Sequence, residues 1–178
     1  MTSSDETEFD PATPQRLRER VGQQLVGTLE GRGVRVALAC GRFNGGVTTR
    51  LIDGALDALA HHGVDRNDVV IAWAPGAFEL PLVARGFALS ERVDVVITLG
   101  AVIRGDTGHY DFVAGECARG VQDVQLATGV PVVFGVLTTD TVAQALERSR
   151  PDDTNKGREC ALTALEMVNL LRQGAFAP

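Results

Sequence analysis

The sequence predicts an α/β protein, a doubly wound sheet of four parallel strands with helices on both faces. Three observations carry this reading. Residues 34–40, 69–74, 93–102 and 131–137 are near-continuous apolar runs, the third rich in β-branched side chains. Runs of this kind are buried on both faces, as parallel sheets require. Segments of helical periodicity lie between and after them, in the order β-α-β-α-β-α-β-α-α. Right-handed crossovers then favour an open sheet covered on both sides.

Each element has its own signal. Residues 47–61 place Val47, Leu51, Ile52, Ala55 and Leu59 on one helical face and stop before Gly63. Residues 78–91 read as a helix in which Pro81 fits only the first turn. Residues 111–128 carry Phe112, Val113, Val121, Val124 and Leu126 at amphipathic spacing. Residues 141–148 and 157–172 are helical, with a polar turn between them. Near the start, Leu17, Val21, Leu25 and Leu29 recur every four residues and suggest a helix, interrupted by Gly22 and Gly27. Residues 1–14 hold Asp5, Glu6, Glu8 and Asp10 with two prolines and no base, and read as a disordered acidic tail. Residues 15–178 read as one domain.

Composition narrows the function. The 178 residues suffice for a buried core without disulfides or metal. The acidic tail carries most of the net charge of −6, so the body is nearly neutral and unsuited to nucleic acid. No apolar run approaches ~18 residues, so no membrane span is expected. No basic start precedes an apolar run, so no secretory signal is expected either. Cys40, Cys117 and Cys160 have neither a metal-like nor a CxxC spacing, and fit a reduced, cytoplasmic compartment.

Ligands of open parallel sheets bind beyond the carboxyl ends of the strands. Four loops lie there: Gly41-Arg42-Phe43-Asn44, Pro75-Gly76-Ala77-Phe78-Glu79, residues 100–109, and Thr138-Thr139-Asp140. Phe43 and Phe78 suit stacking on a planar ligand, or else staple their own helices. Gly100, Gly105 and Gly108 let backbone approach a ligand, and the helix that follows offers N–H groups to a phosphate. His109, at that helix start, titrates in the range useful for proton transfer, or serves as a cap. His61 and His62 diverge on a helix end and make no metal pair. Lys156 is the one lysine among seventeen basic residues. It is either a chance survivor of an arginine bias or a position that needs a compact ammonium. Arg148 is either a helix-end charge or a clamp on an anion.

Taken together, these loops resemble the 6,7-dimethyl-8-ribityllumazine synthase family. The resemblance rests on residues 25–28, Gly41-Arg42-Phe43-Asn44, residues 73–81, Gly100 to Gly105 with Thr107 and His109-Tyr110-Asp111, residues 134–141, Gln144-Ala145 with Glu147-Arg148, and Asn155-Lys156-Gly157. It spans about residues 24–173. It implies a flavodoxin-like fold, with residues 23–28 extended rather than helical. It implies a transferase of riboflavin biosynthesis that condenses 5-amino-6-(D-ribitylamino)uracil with 3,4-dihydroxy-2-butanone 4-phosphate, releasing phosphate and water, with no cofactor and no metal.

The resemblance also implies roles. His109 matches the proton-transfer residue. Phe43 matches the ring that stacks on the pyrimidine, with Asn44 beside it. Ala77, Phe78 and Glu79 match the segment that holds the ribityl chain, and Ala101, Val102 and Ile103 the segment that reads the uracil edge. Asp106, Thr107 and Arg148 match phosphate-binding positions, Asp106 through its backbone N–H. Phe134 and Lys156 match residues that reach the site from a neighbouring subunit. Assembly is therefore implied: a homopentamer, with an icosahedral shell of twelve pentamers and association with riboflavin synthase as further expectations. The short turn of residues 149–154 favours the shell, whereas Pro151 and the adjacent Asp152 and Asp153 oppose it. Two other readings stand beside the synthase: an archaeal-type riboflavin synthase of similar fold, and a non-catalytic flavin or lumazine carrier.

Overall fold

The structure, a computed structural model, describes residues 9, 10 and 12–174. Most of the acidic tail, residues 1–8 and 11, lies outside the described residues. In chain order the elements are α1 (Thr13–Leu17), β1 (Val36–Gly41), α2 (Gly45–His61), β2 (Val69–Ala74), α3 (Leu80–Ala88), β3 (Val95–Ile103), α4 (His109–Thr128), β4 (Val132–Thr139), α5 (Val142–Arg148) and α6 (Lys156–Leu171). The strands form one all-parallel sheet in the order β2-β1-β3-β4, the expected α/β architecture.

The pleat explains the two cores. Val36, Leu38 and Cys40 of β1, with Val95, Ile97 and Leu99 of β3, face a layer made by α2 and α6. Ala37 and Ala39, with Val96, Val132 and Val136, face α3 and α4. The α2–α6 layer presents Leu51, Ile52, Ala55 and Leu59 against Ala161, Ala164, Leu165 and Val168.

Two expectations need correction. Not every apolar run is buried on both faces. In β2, an edge strand, Val70, Ile71 and Trp73 are 43%, 37% and 51% exposed. The β-branched signal identified the strand but could not place it at the edge. The helix suggested by Leu17 to Leu29 also does not form as such. After α1 and a 3-10 turn at Arg18–Arg20, residues 23–30 are irregular. The cause is a close approach: a Cβ at Gly27 would stand 2.2 Å from the Glu166 carbonyl oxygen. The segment lies flat on α6, where Asn169 donates to the Thr28 and Glu30 carbonyls and Gln173 to that of Val26.

Helix ends shift by one to three residues. α4 begins at His109 rather than at Asp111. The segment expected as a helix over 78–91 opens with a 3-10 turn at Ala77–Glu79, and Pro81 falls in the first turn of α3, where its missing N–H costs nothing. Thr141 and Gln144 form a capping box on α5. His61 and His62 close α2 edge to face, 5.1 Å apart, as helix-end residues.

The tightest packing lies where α2 crosses the start of α6. A Cβ at Gly157 would stand 1.9 Å from the Leu51 carbonyl oxygen. Asn155, 1% exposed, caps α6 by accepting from the Gly157 and Arg158 N–H groups. Its amide nitrogen donates to the carbonyls of Arg50 and Arg150. One side chain thus ties the helix to its neighbour and to the preceding turn. Since backbone cannot yield as a side chain can, Gly157→Ala should cost roughly 2–4 kcal/mol in a urea unfolding series. An unchanged midpoint would show that the crossing tolerates a methyl group.

Candidate active site

The strand order sets the site. From β1 the chain leaves through α2 towards β2 over one sheet face. From β3 it leaves through α4 towards β4 over the other. The two loops part, and a crevice opens between the carboxyl ends of β1 and β3. A cleft of about 600 Å³ occupies it.

Its floor is the end of β3: Ala101, Val102 and Ile103. Phe43 and Asn44 form one wall, and Ala77, Phe78 and Glu79 another, with Thr107 and His109 at the start of α4. Ten of the fourteen residues singled out from the sequence therefore line one cleft. Phe43 is 73% exposed and Phe78 57%, so neither staples its helix; both present rings to the opening. Asn44 takes the left-handed conformation, with φ of 57°, which asparagine tolerates better than most residues. Its amide donates to the Ala101 carbonyl at 2.9 Å and ties the first wall of the crevice to its floor. Glu79 accepts from the Gly76 N–H at 3.1 Å and shapes the second wall.

The α4 end of the cleft suits an anion. Gly108 caps α4 without a side-chain hydrogen bond, leaving first-turn N–H groups for a ligand, and the His109 N–H reaches only the Thr107 hydroxyl, at 3.4 Å. Arg104 donates to Asp140 and Asp111 at 2.9 and 3.2 Å, and its guanidinium lies 4.0 Å over the Tyr110 ring. Burial pushes the thiols of Cys40, Cys117 and Cys160 up to about 12, 11 and 11, so none is a thiolate nucleophile at neutral pH.

Four of the expected residues stand apart from the cleft: Asp106, Phe134, Arg148 and Lys156. Asp106 is exposed in the loop beside it. Phe134 lies on β4 and is 39% exposed. Arg148 ends α5 with, among the described residues, no carboxylate partner. Lys156 opens α6 and donates to both Glu159 carboxylate oxygens at 2.7 Å. Conversely, Pro75, Gly76, Gly105, Tyr110, Phe112 and Val113 also line the cleft. Phe112 and Val113 had read only as part of an amphipathic pattern. The signal available for them was their place in the first turn of a helix that starts at the site.

The model of the family described as 6,7-dimethyl-8-ribityllumazine synthase matches residues 33–172, most of the chain. Of the three readings open from the sequence, the match supports the synthase. The left-handed backbone at Asn44 gives this geometry a test. Asn44→Gly keeps the left-handed backbone and loses the hydrogen bond, whereas Asn44→Ala loses both. The alanine variant should be less stable than the glycine variant by about 1 kcal/mol or more. Equal melting points would mean that the backbone there relaxes freely.

Proposed function

The chain belongs to the 6,7-dimethyl-8-ribityllumazine synthase family, transferases of riboflavin biosynthesis, and we propose that the crevice between β1 and β3 is where its condensation takes place. The observation that carries this reading is the convergence of Phe43, Phe78 and His109 on one cleft ending at a helix start with no side-chain cap.

The pyrimidine stacks on Phe43, and the backbone of Ala101, Val102 and Ile103 reads its edge. The ribityl chain lies along Ala77, Phe78 and Glu79, whose carboxylate accepts from hydroxyls. The phosphate of the second substrate sits at residues 106 and 107, on backbone N–H groups and the Thr107 hydroxyl. The substrate amine attacks the butanone carbonyl, and water leaves as the imine forms. Phosphate is then eliminated, the ribitylamino nitrogen attacks the carbonyl this unmasks, and a second water leaves as the second ring closes. Each step moves a proton between nitrogen, carbon and oxygen, and the His109 imidazole is placed to relay it. Aligning two intrinsically reactive substrates supplies much of the remaining acceleration.

Phe134, Arg148 and Lys156 complete the site from a neighbouring copy. That none of them lines its own chain's cleft supports this, as does the apolar surface left on one chain. Trp73, Leu82, Phe112 and Leu126 are between 51% and 74% exposed. The assembly is a homopentamer, and a sixty-subunit shell follows if the turn of residues 149–154 can meet its copies. The acids that opposed this are engaged locally. Asp152 accepts from the Thr154 hydroxyl and N–H, which hold its carboxyl below the usual range, and Arg158 lies 3.4 Å from Asp153.

Formation of dimethylribityllumazine from the two substrates tests the function directly, by its absorbance and fluorescence. His109→Ala should lower turnover ~10²–10⁴-fold with little effect on uracil affinity; unchanged turnover removes the imidazole from the mechanism. Arg148→Lys loses the guanidinium fork and should weaken butanone phosphate far more than the uracil; equal effects count against the assignment. In light scattering the pentamer should appear near 95 kDa, about five chains of 18.9 kDa, or within a shell of twelve such rings. A single-chain mass rejects the shared site.

A further inference from the structure

We propose that Arg104 is a positioning residue, a clasp that holds the phosphate loop of residues 105–108 in its binding shape. The inference rests on the reading of that loop as the butanone phosphate site. Arg104 ends the strand side of the loop, and Asp111 lies in the first helical turn beyond it. The guanidinium joins the two at 3.2 Å and closes the loop like a ring. A second bond, at 2.9 Å, anchors it to Asp140 beyond β4. Asp140 is itself fixed, because its N–H donates to the Gln144 side chain at 2.9 Å. The face of the guanidinium rests 4.0 Å over Tyr110, a wall of the cleft next to His109.

The loop has little stiffness of its own, since Gly105 and Gly108 supply backbone freedom. Arg104, Asp111 and Asp140 are all substantially exposed, so their pairing adds little to global stability. Its consequence is geometric. A planar fork engaged on two carboxylates and a ring has one orientation, and that orientation sets where α4 begins and where the phosphate-binding N–H groups point. A direct ligand would have its donors free, whereas Nε and Nη1 of Arg104 are each engaged by an acid.

The test compares Arg104→Gln, Asp111→Asn and Asp140→Asn, with inorganic phosphate as an inhibitor competing with butanone phosphate. Each variant should raise both the KM for butanone phosphate and the inhibition constant of phosphate by roughly tenfold, while the KM for the ribitylaminouracil stays within about twofold. The two carboxylate variants separate the clasp from its rival. If Arg104 bound phosphate itself, freeing it from an acid would tighten phosphate binding, and that result overturns the clasp. Unchanged constants in all three variants overturn it as well. Phosphate that fails to compete with butanone phosphate in the unaltered enzyme removes the loop reading, and the clasp with it. Should Arg104→Gln fail to assemble, Asp140→Asn, a change at an exposed position, gives the same readout.

Discussion

The contact between Gly157 and the Leu51 carbonyl oxygen, with Asn155 buried beside it, is the constraint from which α2, α6 and the residues at their starts take their positions. It brings α2 and α6 to backbone contact and leaves no room for even a methyl group. The start of α2 carries Phe43 and Asn44 into the chain's own cleft. The start of α6 carries Lys156, between the two residues that make the contact, to a surface apart from that cleft. The Asn-Lys-Gly triplet thus combines a cap, a presented cation and a close approach. Only the middle residue points its side chain away from the crossing, where its ammonium meets Glu159.

From that crossing the rest follows in order. α2 lies on one sheet face and α4 on the other, so the loops after β1 and β3 separate. The Asn44 amide spans the gap and Ala101 receives it, which holds the crevice at a fixed width. The ion pairs of Arg104 beside it are exposed, so they orient loops rather than stabilise the fold. The fold itself rests on two apolar layers in which nearly every β1 and β3 side chain is removed from water.

Much of this was legible in the sequence. The four apolar runs gave the strands to within a few residues, because a strand buried on both faces leaves little polar signal to confuse. The carboxyl-edge rule then selected the loops before any family motif was invoked. What stayed hidden was tertiary. Nothing local distinguishes Val70, Ile71 and Trp73 on an edge strand from the same residues in the sheet interior. The four-residue spacing of Leu17 to Leu29 imitates a helix; the resemblance already implied an extended segment at residues 23–28, and its physical reason, the flat seat of Gly27 on Glu166, is tertiary. Arg104 was visible as a loop residue, but its partners Asp111 and Asp140 come from two other elements. The separation of Arg148 from the cleft also needed coordinates, since α5 follows β4, whose end lies on the same sheet edge as the cleft.

The central claim is that the site is divided between copies of the chain, with His109 on one and Arg148 on the next. Mixing two defective chains tests it most directly. His109→Ala and Arg148→Ala chains, unfolded together and reassembled in equal amounts, should regain activity far above either parent. About one quarter of the sites would then pair an intact His109 with an intact Arg148, as random placement around a closed ring requires. Activity no higher than the average of the two parents, in assemblies of the same mass, would contradict the divided site.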